Sequence, residues 1–394
     1  MMNEKEAEIL LKEYQRRSEE KITEVDLSGD STGNIPSEGI FPIEAMTVDE
    51  IDAKRDEFRQ TGLDSISRGE LACVLLAGGM GTRLGYDGPK GTLDIGLTHP
   101  LYIFERHIEC LKNVLKSAPG AMIPLYIMTS EKNDQATREF FREHDYFGYP
   151  EKNIRFFIQE TAPACDYDGR LLFEGRTAEG ELIPSTSPNG NGGWFSSLKK
   201  YGYTDEMKKA GVKWINVFGV DNVLAKTADP VFLGAVIESK RGSGSKVVRK
   251  VSPEEKVGVL CRRGGHPSIV EYFDLSRTQA RQQNPDGTLT YGMGVIVNYI
   301  FSLQELSDIA QMDMPVHRVE KKIPYIDENG TLIKPDKPNG YKFEILITDL
   351  LCYLRDNLPF EVRRSEEFAP VKNLHGTDSL DSARELLRAN GVTL

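Results

Sequence analysis

The chain has 394 residues, 39% of them apolar and 28% charged, a composition that fits a folded globular protein and excludes the disordered and fibrous classes. Its formal net charge of −11 excludes a nucleic acid or an anionic membrane as partner, because no basic excess is available to displace counterions. A small polyphosphate ligand needs only a few local cations and stays open.

Cys73, Cys110, Cys165, Cys261 and Cys352 are scattered, odd in number and form no CxxC pair, which points to reduced thiols in a cytoplasm rather than to disulfides or zinc. Residues 1–12 are charged rather than apolar, so no secretory signal is expected. No apolar run approaches the roughly 18 residues of a spanning helix. The length suits about two or three domains, or one large α/β domain with appendages.

In chain order, Asn3 to Glu24 reads as an amphipathic helix carrying Ala7, Ile9, Leu10, Leu11, Tyr14 and Ile22 among charges. Ser28 to Pro42 is a Gly/Ser/Pro linker, and Thr47 to Arg59 is a second helix with a Thr47/Glu50 capping box. Residues 1–65 are thus expected to form a helical extension on a catalytic domain of residues 66–394.

From Leu71 strands and helices alternate. Cys73–Leu76, Pro124–Met128 and Ile154–Ile158 read as strands, and Tyr102–Ser117 and Asp134–His144 as helices, the pattern of βαβ units on a Rossmann-like, mostly parallel sheet. Cys165 to Gly193 is a β-rich excursion that ends in Pro188-Asn189-Gly190-Asn191-Gly192-Gly193, on its own a turn signal. Lys213–Val220 is a strand running into Asp221-Asn222. Ser245–Arg249, Val257–Arg262, Ile269–Tyr272 and Val295–Phe301 follow as strands, with a hairpin at Pro285-Asp286-Gly287. Glu344–Asn357 and Ser379–Ala389 read as helices. The six histidines share no ligand spacing and are assigned to core, turn or surface.

The most informative stretch is CVLLAGGMGTRLGYDGPKG, Cys73 to Gly91. A buried strand stops at Gly78, Gly79 and Gly81, which carry no Cβ and tolerate positive φ, so their N–H groups can cradle a phosphate beside Arg83 and Lys90. It is not a Walker loop, since Lys90 precedes Gly91 rather than following a glycine. The dinucleotide fingerprint fails too, because Leu84 stands where its third glycine belongs.

Leu76-Ala77-Gly78-Gly79-Met80-Gly81-Thr82-Arg83 with Pro89-Lys90-Gly91 resembles the signature of the nucleotide-sugar pyrophosphorylases, and more specifically that of the eukaryotic-type UDP-N-acetylhexosamine pyrophosphorylases. The resemblance runs on through most of the chain after residue 60. It implies an α/β fold of nucleotide-sugar transferase type that makes UDP-sugar and pyrophosphate from UTP and a sugar 1-phosphate. It also assigns residues. Arg83, Lys90 and Lys372 serve the phosphates, and Asp221 holds Mg²⁺. Ala77, Gly78, Gly79, Gly81, Thr82, Gln159 and Gly190 bind the nucleotide, and Asn191, Gly258 and Glu271 bind the sugar. A small C-terminal domain carried by such relatives is not expected here, and the resemblance sets no oligomeric state.

The chain departs from the family pattern at the sugar. Asn189 replaces an Asp, Val295 an Asn, and Leu346 and Thr348 two Phe residues. N-acetylglucosamine 1-phosphate is the expected substrate, with glucose 1-phosphate or galactose 1-phosphate as alternatives. A UDP-sugar sensor without catalysis is the reading from another class, and an NAD-dependent dehydrogenase is disfavoured by the failed fingerprint.

Overall fold

The computed structural model describes residues 2–19 and 39–394. Residues 20–24 of the expected first helix and residues 28–38 of the expected linker lie outside the described residues. The chain forms two compact units. One contains residues 2–19, Gln159–Ser197 and Met312–Leu350; the other contains Gly39–Ile158, Leu198–Gln311 and Leu351–Leu394. These units cut across the expected boundary at residue 65. The helix Glu4–Glu19 belongs to the first, whereas Val48–Ala53 and Arg55–Ser67 belong to the second.

The second unit is built on a 10-stranded sheet. Leu71–Leu76 lies at its centre with all six residues buried, parallel to Trp214–Gly219 on one side and to Leu125–Thr129 on the other; Ile154–Ile158 follows, parallel again. Burial on both faces explains why this strand reads as a continuous apolar run. Met293–Ser302 pairs antiparallel with Trp214–Gly219 and with Ser243–Arg249. The α/β architecture is as expected, with close agreement at Ile103–Lys116, Asp134–Glu143 and Leu380–Ala389. The Thr47/Glu50 capping box is present, but the helix it starts breaks at Lys54 and resumes at Arg55. The end of the expected linker is a strand, Ile40–Pro42, paired with Val259–Arg263.

The first unit packs Leu11 and Tyr14 of the helix Glu4–Glu19 onto Ala162, Cys165, Val316, Phe343 and Ile345. Its strands are short, as the dense turn signals imply. The helix expected over Glu344–Asn357 is not formed: only Ile347–Leu350 is α-helical, Leu351–Tyr353 is a 3₁₀ turn, and Leu358–Glu361 is a strand parallel to Ser243–Arg249. Glu344 instead ends a strand, Gly340–Glu344, paired with His317–Lys321. Ile345 N–H then donates to Asn189 O at 2.6 Å and Ile347 N–H to Asn191 Oδ1 at 3.0 Å, so the chain stays tied to its neighbours up to the start of the short helix.

Candidate active site

The glycine loop leaves the carboxyl end of the central strand Leu71–Leu76, where ligands of parallel sheets collect. Gly78, Gly79 and Gly81 all stay outside the positive-φ region, so left-handed backbone is not why glycine stands there. At Gly81 the reason is close packing, since a Cβ would lie 2.7 Å from the Tyr86 ring. At Gly79 a Cβ would meet nothing within 4 Å, which keeps that face of the loop open. Ala77 N–H donates to Met128 O and Gly81 N–H to Gly88 O, each at 2.9 Å. Gly78 and Gly79 therefore keep the amides that the loop does not spend on itself.

Asn133 holds this loop, a role sequence reading missed. Fully buried, it donates from Nδ2 to Ala77 O at 2.9 Å and to Gly79 O at 3.3 Å, while its Oδ1 accepts Ser130 N–H at 2.7 Å. It stands at the N-cap position of Asp134–Glu143 without capping that helix. An Asn just past a parallel strand was the available signal.

Four of the expected phosphate and metal residues meet electrostatically. Lys90 Nζ lies 3.8 Å from Asp221 Oδ2, with their side chains 15% and 30% exposed. Burial pushes the Lys90 pKa down; Asp221 opposes this, and the positive charges of Lys372 and Arg83 push it further down. Lys372 rests against Asp378, Nζ to Oδ2 at 3.2 Å.

Asp221 is fixed from both sides. Val371 N–H donates to its carbonyl at 2.9 Å and Val223 N–H donates to Ala369 O at 3.2 Å, while Asn222 donates to Glu367 O at 2.7 Å and accepts Ala369 N–H at 2.9 Å. The segment that carries Lys372 is thereby clipped to the segment that carries Asp221. His107, buried, donates from Nε2 to Val220 O at 3.0 Å, and burial pushes its pKa down to about 4. That matches the core assignment expected for a histidine.

Beside Asp221 the backbone is strained. Val297, a β-branched residue, has φ 51° in a strand whose register against Ser243–Arg249 shifts between Ser245 and Val247. A Cβ on Gly219 would fall 3.0 Å from Asp221 Oδ1 and 3.5 Å from Val297 Cγ1, so the bulge and the carboxylate share one spot. Strain of this kind gathers at functional positions. Gly258, Glu271 and Val295 also meet: a Cβ on Gly258 would lie 2.9 Å from Ile269, 3.4 Å from Glu271 Oε1 and 3.5 Å from Val295.

Gln159, Gly190 and Asn191 lie in the first unit. Gln159 is buried, 6% exposed. Gly190 has φ 94°, and a Cβ there would stand 2.3 Å from Ile345 O, so only glycine fits. Asn191 spends Oδ1 on Ile347 N–H, 3.0 Å away. Leu346 lies against Gly192, whose Cβ would meet the Leu346 carbonyl carbon at 2.6 Å. Thr82 and Arg83 sit on the 3₁₀ turn after the glycine loop, both exposed.

Central parallel strand, glycine loop and converging cations define an α/β protein of nucleotide-sugar transferase type. Residues 8–389 match the profile of the UTP–glucose-1-phosphate uridylyltransferase family, and the chain belongs to that family. It is 37% identical over 343 residues to the human UDP-N-acetylhexosamine pyrophosphorylase-like protein 1, an alignment covering 85% of this chain and 66% of that protein. It is 36% identical over 408 residues to UDP-N-acetylglucosamine diphosphorylase 2 of Arabidopsis thaliana, covering 98% of this chain and 79% of the relative. Among solved structures, the uridine diphosphate N-acetylglucosamine pyrophosphorylase of Trypanosoma brucei in complex with inhibitor superposes with a TM-score of 0.78 at 28% identity, over 96% of this chain and 75% of that one. The chain thus spans just under two thirds of the human relative's length.

Proposed function

We propose that this chain is a uridylyltransferase that joins UTP and N-acetylglucosamine 1-phosphate into UDP-N-acetylglucosamine and pyrophosphate, reversibly. The observation that carries the reading is the meeting of Lys90, Asp221, Arg83 and Lys372 in the unit that holds the open glycine loop. A phosphate oxygen of the sugar 1-phosphate attacks the α-phosphorus of UTP, the bond between that phosphorus and the bridging oxygen to the β-phosphate breaks, and pyrophosphate leaves with the electron pair. The nucleophile is already ionised near neutral pH, so no general base is required. The work is alignment and charge neutralisation.

Arg83 and Lys90 hold the triphosphate and offset charge on the departing pyrophosphate, with Gly78 and Gly79 N–H as fixed donors; Lys372 leaves Asp378 to meet the sugar phosphate. Entering phosphates raise the Lys90 pKa again, so the lysine binds as a cation. The described residues contain no group of three or more His, Cys, Asp or Glu fit for a metal, and Asp221 is a single hard oxygen donor. That donor set fits Mg²⁺, which would be held by Asp221 as its one protein ligand. When bound, Mg²⁺ supplies charge neutralisation on the phosphate oxygens. Gln159 and Gly190 read the uracil, while Asn191, Gly258 and Glu271 hold the sugar. Five free cysteines support a reducing, cytoplasmic setting. Among the described residues no helix is long and apolar enough to cross a membrane.

Two observations favour glucose 1-phosphate or galactose 1-phosphate as the second reading. Val295 offers no amide beside Glu271, and Leu346 offers no ring beside Gly192. The deciding experiment measures pyrophosphate release by the purified chain with UTP, Mg²⁺ and each of the three sugar phosphates. The expected outcome is the highest kcat/KM for the N-acetylated sugar; a preference of about tenfold or more for glucose 1-phosphate would end the N-acetyl reading. Binding of UDP-sugar without pyrophosphate exchange would make the chain a sensor.

A further inference from the structure

The first helix of the chain is joined by one buried hydrogen bond to the loop assigned to the uracil and the sugar. Asn189, 1% exposed, donates from Nδ2 to the hydroxyl of Tyr14, 5% exposed, at 3.1 Å across 175 residues of sequence. Tyr14 is held in turn by an edge contact with Phe343, ring centroids 5.9 Å apart, and by the cluster that contains Leu11 and Ile345.

Asn189 is the floor of the loop. A Cβ on Gly193 would fall 2.8 Å from Asn189 Oδ1 and 3.0 Å from its Nδ2, so the loop lies directly on the amide. The Asn189 backbone is pinned at both ends, with its N–H on Glu160 O at 2.9 Å and its carbonyl accepting Ile345 N–H at 2.6 Å. The remaining freedom is rotation of the side chain, and Tyr14 is the partner that sets it. Asn189 Oδ1 is buried with no hydrogen-bond partner among the described residues, so Tyr14 is the polar anchor that they give the amide. Removing the phenol would leave an unsatisfied amide under a loop with no space to adjust.

We infer that Tyr14 is a positioning residue for uridine nucleotide binding: through the Asn189 side chain, the helix Glu4–Glu19 sets the height and orientation of Gly190–Gly193. The inference rests on the reading that this loop faces the nucleotide sugar. Tyr14 itself touches no ligand in this scheme. Its effect falls on affinity, because the phosphates and their cations lie on other residues.

The test compares Tyr14→Phe with Leu11→Ala in the full chain. Leu11→Ala damages the packing of the same helix without touching Asn189. Calorimetry with UTP, steady-state kinetics, thermal melting and amide hydrogen exchange at Gly192, whose N–H donates to Ile345 O at 2.8 Å, are read together. For Tyr14→Phe the expected result is a Tm within about 2 °C of wild type. UTP affinity falls about five- to tenfold with kcat within about twofold, and Gly192 exchanges faster. For Leu11→Ala the Tm falls while UTP affinity holds. A folded Tyr14→Phe chain with wild-type UTP affinity overturns the inference, as does a Leu11→Ala chain that weakens UTP equally. A folded wild-type chain that binds no uridine nucleotide defeats the underlying reading instead, and is told apart because the unmodified protein is then the silent one.

Discussion

Lys90 and Lys246 sit in the same unit, both largely withdrawn from water and both facing carboxylates, yet they are opposite devices. Lys246 is fully buried and closes on Asp229 at 2.7 Å and Glu367 at 2.6 Å. Burial pushes its ammonium down, but the two carboxylates outweigh it and its pKa stands raised; Lys246 in turn outweighs burial at Asp229 and holds that carboxyl below the usual range. Lys90 has one carboxylate, at 3.8 Å, with two further cations acting on it, and its pKa is lowered. The difference teaches how to tell structure from site in a charged cluster. A satisfied buried cation is a rivet, whereas an under-satisfied one is a receptor for negative charge.

The largest effect should come from cutting the rivet. Lys246→Met leaves Asp229 and Glu367 buried without their shared cation, with only the half-exposed Lys226 at 3.4 Å from Glu367 remaining, and should lower unfolding free energy by about 3–5 kcal/mol in urea titration. A variant that kept its stability but lost turnover would break the comparison from this side. From the other side, Lys90→Ala should leave the melting temperature near wild type and reduce kcat by about 10²–10³, roughly 2.7–4 kcal/mol. Near-normal pyrophosphate release would remove Lys90 from the reaction.

His107 sharpens the same contrast through pH. Its pKa in the folded chain is about 4, below the ordinary 6.5, so its contribution to stability is complete above pH 6.5 and is lost as pH falls toward 4. Wild type should therefore lose about 2–3 kcal/mol more than His107→Gln between pH 7 and 4.5. Parallel pH profiles for the two proteins would show that the buried imidazole does not titrate as described. The smallest effect concerns the sugar. Val295→Asn, beside Glu271 and Gly258, should shift kcat/KM toward N-acetylglucosamine 1-phosphate over glucose 1-phosphate by about tenfold, roughly 1.4 kcal/mol. An unchanged ratio would detach Val295 from sugar choice.

Much of this was legible in the sequence because it is local. The central strand announces itself as the apolar run Cys73–Leu76, the heart of the observed Leu71–Leu76, and the Thr47/Glu50 capping box is written within four positions. The glycine loop and Lys90 followed from backbone chemistry and family resemblance. What stayed hidden depends on distant partners. Nothing near Val297 signals positive φ, since an apolar β-branched residue in a strand reads as ordinary strand; its conformation comes from a register shift against Ser243–Arg249. Asn133 carries no local sign of the loop 54 residues away that takes its amide. The helix expected at Glu344–Asn357 is bounded by strands whose partners, His317–Lys321 and Ser243–Arg249, lie far off in sequence, a competition no local propensity records.

The clip between Asn222 and Ala369 joins residues 147 positions apart. Closing so long a loop is entropically slow and contributes nothing until both ends are in place. The central sheet closes loops of the same order, since Leu71 pairs with Trp214 and Ile40 with Arg263. Competence to bind a polyphosphate is thus a property of the chain's long-range closures, and no single segment cut out of it would carry the charge arrangement.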